Sequence, residues 1–331
     1  MSPKISIIVT AHDRKEFLVE ALSSISRQKC SPANYQVVVV KNFQDPDSDS
    51  IIEANGFTSL NCGGTLADKV LMALDYCHGE VITFLEDDDL YADTRIDRII
   101  RIFNEYPEIS FYRNSLIEID QFGKRTGRNH HPQVKKSVFL QNSHIETILP
   151  YLVANNVDFS TGCMAIRRNV LVENLELFRS CTSVSSKFTD SLYFFFALRS
   201  GTSVFIDSSP QTYVRRHDSM SVRVSGNLQE SNAFRASFTD ELIRFYRYIR
   251  KIDHLNNICS RYVSIKLARA ELEYSVISGK ERIMIFLEFK RFLKLAGRPH
   301  GKYEVLLSVA SFVALFSSNV GRTIFNRVLG L

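Results

Sequence analysis

Two runs of β-branched apolar residues, Ile5–Thr10 and Val37–Val40, restrict the folds open to this chain. Neither alternates polar with apolar, so a strand made from either must be covered on both faces, as in a parallel sheet sandwiched by helices. Between them, Phe17, Leu18, Ala21, Leu22 and Ile25 recur at helical spacing. The order is strand, loop, helix, strand. After the second strand, Gln36–Val40, the polar stretch Asp45 to Ser50 reads as a loop; a helix around Ala67–Tyr76 and a third strand over Glu80–Leu85 follow. Repeated strand–helix–strand units make the N-terminal third an α/β fold of nucleotide-binding type.

The chain has 331 residues, enough for a core domain of about 200 to 250 residues with a smaller appendage. With 45% apolar and 23% charged residues, 14 Gly and 8 Pro, disordered, collagen-like and disulfide-scaffold classes are excluded. Six scattered cysteines (Cys30, Cys62, Cys77, Cys163, Cys181, Cys259), no C-x-x-C pair and no leader-like segment before the first strand point to free thiols in a reducing cytoplasm.

Four consecutive carboxylates close the third strand, in Phe84-Leu85-Glu86-Asp87-Asp88-Asp89. Like charges at that spacing repel, so the row calls for a cation. Carboxylate oxygens suit Mg²⁺ or Mn²⁺, and the carboxyl ends of strands in an open α/β sheet face the crevice where ligands bind. A metal-bound diphosphate is the guest such a place fits; the bland reading is an acidic cap on the next helix.

These segments together resemble glycosyltransferase family 2. The likeness runs over residues 1 to about 220 and is carried by Ile5–Arg14, the helix Phe17–Gln28, the second strand, Asn61-Cys62-Gly63-Gly64, the turn Gly79-Glu80 and Phe84–Asp89. It implies a GT-A, Rossmann-like, mostly parallel sheet flanked by helices, an inverting nucleotide-sugar-dependent activity, and a Mn²⁺ or Mg²⁺ cofactor. It further implies that Thr10, Ala11, His12, Asp13 and Arg14 line the donor pocket, with Asn42, Lys69, Glu86 and Asp87 beside them. Glu86 and Asp88 take the outer positions of the D-x-D motif, with Asp88 on the metal and Glu86 toward the ribose. Two stretches depart from the family pattern: Lys41-Asn42-Phe43-Gln44 stands where an Asp usually meets the base, leaving Asp45, Asp47 or Asn42 for that contact, and Ala67-Asp68-Lys69 stands for A-R-N.

In the second half, Phe159–Arg168 resembles the family's small-residue stretch leading into a strand, and Phe188-Thr189-Asp190-Ser191-Leu192 sits where the family has its acidic pair. The resemblance makes Asp190 the base that takes the acceptor's proton; its rival reading is a helix N-cap. Tyr213–Ser221 matches Y-R-x-H-x-x-S-x-S closely, which puts Arg216 on the diphosphate and His217 on the diphosphate or metal, against the plain reading of a surface loop. The basic loop Gly123–His131 reads either as a lid over the donor or as solvated chain.

Beyond residue 230 the pattern becomes helical, over Glu241–Ile252, Arg261–Ser275, Arg282–Leu295 and Glu304–Phe316. The expected division is a transferase domain over 1–230, with a nucleotide-sugar half at 1–110 and an acceptor half at 111–230, then a helical C-terminal region over 231–331. Residues 241–331 hold 16 Lys and Arg against 7 Asp and Glu, a net of +9, while the rest of the chain carries −4. A basic tail suits an anionic membrane surface or is simply a solvated helical coat. Val305–Phe316 is too short to span a bilayer and reads as buried, interfacial, or a homodimer contact. The expected place is cytoplasmic, either free or peripheral on the cytoplasmic face of the membrane, with a nucleotide-sugar donor and a saccharide or lipid-linked acceptor as partners. An acidic body excludes nucleic acid, and the lack of G-x-G-x-x-G after the first strand disfavours a dehydrogenase. The alternative to an enzyme is a binding or scaffold protein on the same fold whose base pocket has decayed.

Overall fold

The computed structural model describes residues 4–127, 133–217, 228–297, 299, 301–315, 320, 321, 323 and 324. Arg128, His130 and His131 of the basic loop, Asp218–Ser221 after His217, and Phe316, Arg322, Phe325, Arg327, Val328 and Leu329 of the tail lie outside the described residues. The chain runs β1 (Ile5–Thr10), α1 (Leu18–Ser26), β2 (Tyr35–Lys41), α2 (Pro46–Ala54), β3 (Thr58–Asn61), α3 (Leu66–Leu74), β4 (Val81–Glu86), β5 (Leu90–Tyr91), α4 (Arg95–Glu105) and β6 (Ile109–Ile119). It continues with β7 (Val138–Leu140), α5 (Asn142–Ala154), β8 (Met164–Arg167), α6 (Arg168–Glu173), α7 (Leu175–Val184), α8 (Thr189–Arg199) and β9 (Ser203–Arg215). Four helices close it: α9 (Leu228–Ile249), α10 (Asn257–Ile277), α11 (Arg282–Ala296) and α12 (Gly301–Ala314).

The strands form one sheet in the order β3-β2-β1-β4-β8-β6-β9-β5, with β7 also on β9. β1, β2, β3 and β4 are mutually parallel, β8 runs against β4 and β6, and β6 is parallel to β9. The sheet is thus mostly parallel and flanked by helices, as the resemblance implied. Every residue of β1 and Val37–Val40 of β2 are buried, which is what their unbroken apolar runs require.

One stretch read as a loop is a helix. Asp45 accepts a hydrogen bond from Ser48 N at 3.2 Å, Pro46 occupies the first turn, Ser48 and Ile52 are buried, and Asp47 and Ser50 lie on the outer face of α2. The short strand β3 was hidden for a similar reason: its residues are mostly exposed at the sheet edge and carry no apolar run. In α3 the Thr65 hydroxyl and the Asp68 carboxylate satisfy each other's backbone N–H, so the acidic residue of the Ala67-Asp68-Lys69 stretch is committed to a capping box.

Apolar side chains fill both sides of the sheet. On one side Ile7, Val9, Val37, Val39 and Leu85 meet α1 and α4; on the other Ile8, Val38, Ile82 and Phe84 meet a core continuous with α5, α8 and the C-terminal helices. α8 is apolar on all sides, from Leu192 to Leu198, and every residue in that run is buried. A helix of that composition has to be covered all round: the sheet lies under it and α10 over it, with Phe84 stacked on Tyr193 at 4.3 Å and Phe194 edge-on to Tyr262 at 5.5 Å.

The approach of β1 to β4 is tight at its start. Gly79 donates its N–H to Ser6 Oγ at 2.8 Å, and a Cβ added there would meet backbone atoms of Ile5 and Ser6 at 2.5 Å. Gly79→Ala is expected to lower the unfolding free energy by about 2 kcal/mol through overpacking. A urea midpoint equal to that of the parent protein would contradict this.

Candidate active site

β1 and β4 are neighbours and parallel, and Thr10 pairs with Glu86. The loops leaving both strands therefore emerge side by side, where the strand order reverses. Asp87 N donates to Thr10 O at 3.1 Å, so the first acid past β4 is tied to the last residue of β1.

All four acids of the row are buried or nearly so. Arg14 donates to Asp87 and lies 3.0 Å from Asp88 Oδ2, with its side chain one-third exposed. His217 Nε2 lies 2.6 Å from the same Asp88 oxygen. Burial works against the Asp88 charge, but His217 and Arg14 outweigh it and hold the carboxyl below its ordinary range. The same Nε2 lies 3.1 Å from Arg14 Nη1, so Arg14, His217 and Asp88 meet at one point. Burial and the charge on Asp88 push Asp87 up to about 6 against the pull of Arg14, and push Glu86 up to about 7. Asp89 is driven well above its usual range by burial and by Asp88.

Arg215 is the residue that holds this row together, and the sequence reading gave it no role. Its side chain is fully buried. The backbone N–H donates to Asp89 Oδ1 (3.0 Å), Nε to Asp88 O (2.9 Å), Nη1 to Gln121 O (2.9 Å) and Nη2 to Glu20 Oε2 (2.6 Å), and the guanidinium stacks on Phe17 at 4.3 Å. It ties β9, the acidic turn and α1 at one point. Its position, one residue before Arg216 in a motif already singled out, was the available signal.

The loop after β1 is shaped by its own contacts. Asp13 sits at φ +57°, an uncommon conformation for a residue with a Cβ. Asn42 fixes it with two bonds, accepting from Asp13 N at 2.9 Å and donating to Asp13 Oδ1 at 2.6 Å. Lys69 lies beneath, almost fully buried, with Nζ 2.8 Å from Ala11 O and 2.7 Å from His12 Nδ1. Burial depresses its pKa, and the side chain serves the loop from below. A cleft of about 560 Å³ beside this loop is lined by Asp13, Lys15, Glu16, Val19, Asp45 and Asp47. Another hollow, of about 420 Å³, lies at the opposite end of β4 around Gly79 and Arg168, away from the acids.

Asp190 enters from the other half of the chain. It lies in the first turn of α8, where Phe188 holds the N-cap position, and its carboxylate accepts from Ser191 N (2.8 Å) and Ser160 N (3.2 Å). Thr161, the next residue, donates its hydroxyl to Glu86 Oε1 at 2.7 Å. One short loop thus touches both Asp190 and the acidic row. Burial and the Asp158 charge push Asp190 up to about 7, against its two backbone donors and Lys266.

The structure brings Thr10, Ala11, His12, Asp13, Arg14, Asn42, Lys69, Glu86, Asp87, Asp88 and His217 together, with Asp190 joined through Ser160 and Thr161. Arg216 turns aside: its guanidinium lies 3.5 Å from Glu118, and its N–H bonds Ile119 O. In the basic loop, Arg125 lies over the Tyr213 ring at 5.8 Å. Among the described residues no group of three or more His, Cys, Asp and Glu is arranged to hold a metal ion. Asp88 and His217 offer one carboxylate oxygen and one imidazole nitrogen, two of the donors a divalent cation needs, the rest coming from a ligand's own oxygens.

The fold is the GT-A fold of glycosyltransferases. Residues 6–175, a little over half of the chain, match Glycosyl transferase family 2, and the chain belongs to that family. Among solved structures, residues 1–349 of TarS from S. aureus, in complex with UDP-GlcNAc, align with a TM-score of 0.57 at 17% identity, over 99% of this chain and 90% of that one. The mannosyltransferase PcManGT from Pyrobaculum calidifontis, in complex with GDP-Man and Mn²⁺, aligns with a TM-score of 0.52 at 13% identity, over 99% and 85%. At these identities the likeness is one of fold.

Arg215→Met removes the donors that anchor the acidic turn while keeping most of the side-chain volume. Breaking a buried charged contact of this kind is expected to destabilise by about 3 kcal/mol, read from denaturant unfolding. A loss below about 0.5 kcal/mol, the ordinary range of surface changes, would show that the turn is held by something else.

Proposed function

We propose that this protein is an inverting transferase that moves one sugar from a nucleotide-diphosphate donor to a hydroxyl of a saccharide or lipid-linked acceptor, in the synthesis of a surface polysaccharide, glycolipid or glycoprotein glycan. The observation that carries this reading is the Ser160–Thr161 loop, which bonds Asp190 on one side and Glu86 on the other. Adjacent residues thus tie the proposed base to the donor side of the site.

In that reading the donor's base enters the cleft lined by Asp13, Asp45 and Asp47, beside Asn42. The diphosphate lies over the end of β4, where the part-exposed Arg14 pairs with phosphate oxygens. The acceptor oxygen attacks the anomeric carbon, the bond from that carbon to the diphosphate oxygen breaks with its electron pair, and Asp190 takes the hydroxyl proton. Asp88 and His217 would hold Mn²⁺ or Mg²⁺ together with the diphosphate, and a divalent ion there supplies charge stabilisation to the leaving group. The chemistry is assigned to residues 1–230, donor side before 110 and acceptor side after, with 231–331 as a helical region. The retained acids, the Asn42 brace on Asp13 and the family membership favour an enzyme over a decayed scaffold.

Asp190→Asn is expected to keep donor affinity in calorimetry with Mn²⁺ and to lower kcat by roughly 10² to 10⁴, whereas Asp88→Ala loses metal-dependent donor binding. In the parent enzyme kcat rises as pH passes upward through about 7, because Asp190 must be ionised to accept a proton. Asp158, Lys266 and Glu86 are the charged groups that act on it and share in setting that limb. Full turnover in Asp190→Asn, or unchanged donor affinity in Asp88→Ala, would sink the respective assignment.

The acceptor side of the proposal includes an anionic membrane surface at the cytoplasmic leaflet. No described helix is long and apolar enough to cross a membrane, and all six cysteines are unpaired. Of the twelve large apolar side chains exposed among the described residues, eight lie on α11, α12 and Val320. α11 turns Ile283, Leu287, Lys290 and Lys294 outward, and α12 turns Val305, Val309 and Phe312 outward. Basic charge beside an apolar row complements anionic lipid. Full-length protein is expected to co-sediment with phosphatidylserine vesicles at low salt and to be released by Leu287→Glu with Phe312→Glu. If the parent stays in the supernatant, and more so if it runs as a dimer that those changes dissociate, the face is not a lipid surface.

A further inference from the structure

We infer that Lys266 and Tyr262 of α10 are positioning residues of the transfer reaction, acting through Asp158 on the loop that holds Asp190 and Glu86. The inference rests on reading Asp190 as the base. It gives the helical C-terminal region a part in catalysis.

Asp158 is buried at the start of that loop, and one of its oxygens accepts from two α10 donors: Lys266 Nζ at 2.7 Å and Tyr262 OH at 2.5 Å. Burial opposes its charge, but Lys266 and Tyr262 hold the carboxyl below its ordinary range. Two residues on, Ser160 sits at φ +63° and aims its N–H at Asp190 Oδ2; one more residue on, Thr161 reaches Glu86. A residue with a Cβ keeps such a backbone conformation only where its surroundings over-determine it, and the Asp158 anchor supplies that constraint.

A second line runs to the base helix itself. Tyr246 of α9 donates to Ser191 Oγ at 3.0 Å, next to Asp190, and its hydroxyl lies 3.4 Å from that of Tyr262. Lys266 Nζ lies 5.7 Å over the Tyr246 ring. The base is thus held through Ser160 before it and Ser191 after it, and both holds lead back to the same patch of α9 and α10. A buried ion pair is weak evidence for stability alone, since well-packed apolar residues do as well or better. A pair at this place instead sets where a carboxylate points.

The groups facing Asp190 are Asp158 from the loop, Lys266 from α10, Glu86 from β4, Tyr193 from α8 itself, and the N–H groups of Ser160 and Ser191. Lys266 is the cation that offsets Asp158 there. Its loss therefore favours the protonated base.

The test uses full-length Tyr262→Phe and Lys266→Met with a nucleotide sugar that the parent enzyme transfers. Both variants are expected to lose about 10-fold or more in kcat, as for a reacting group displaced by a fraction of an ångström. Donor affinity by calorimetry stays within about twofold of the parent, since the lesion is not on the donor side. The acid limb of kcat moves to higher pH in Lys266→Met and stays in place in Tyr262→Phe. Tyr262→Phe removes one hydroxyl and keeps the ring on Phe194, so it decides the matter if Lys266→Met does not fold. Parent-like kcat in folded Tyr262→Phe, or donor affinity falling in step with kcat, overturns the inference. Turnover that survives Asp190→Asn overturns the reading of Asp190 and this inference with it, whereas turnover lost there but kept in Tyr262→Phe overturns this inference alone.

Discussion

Four carboxylates cannot sit side by side at the end of a buried strand without compensation, and much of this protein's architecture answers that constraint. The compensating groups come from far apart in sequence: Arg14 from the loop after β1, His217 from beyond β9, and Arg215 from the end of β9 itself. Arg215 does so from full burial, by spending its donors on carbonyls, on Glu20 and on the acidic turn. The outcome is graded. Asp88 stays ionised between His217 and Arg14, while burial and its charge lift Glu86, Asp87 and Asp89.

The second constraint is the apolar helix α8. Because Leu192–Leu198 has no polar face, the helix needs a cover as well as a floor, and α10 provides it. The C-terminal helices are therefore packed into the same core that underlies the sheet. Since α8 carries Asp190 in its first turn, whatever moves α10 is felt at the carboxylate through packing and through the Asp158, Tyr246 and Tyr262 bonds. The Tyr193 ring on Phe84 extends that contact to the strand that ends in the acidic row.

The loop after β1 shows how a departure from the family pattern is accommodated. Asn42 stands where an Asp usually meets the base, yet it is engaged twice with Asp13 and holds that residue at positive φ. Lys41 is bound to Asp49 at 2.7 Å and Asp68 to its capping box. Side chains at the altered positions are thus engaged within the protein, and the acids that line the adjacent cleft are Asp13, Glu16, Asp45 and Asp47.

The sequence by itself determined the elements whose signal is local. Unbroken β-branched runs mean strands buried on both faces, the helical spacing of α1 and of the C-terminal helices is periodic, and an acidic row at a strand end is visible in any register. It misread α2, because a cap and a proline outweigh a polar composition, and it missed β3, because an exposed edge strand has no apolar signature. Which residues share a site was decided only by tertiary structure. Thr10 and Glu86 are neighbours because β1 and β4 pair in parallel, Arg215 and not Arg216 reaches the acidic turn because Arg215 closes β9 beside it while Arg216, just past the strand, turns to Glu118, and Lys266 meets Asp158 across 108 positions of chain because α8 must be covered. Contacts of that kind depend on the packing of whole elements, and no local pattern encodes them.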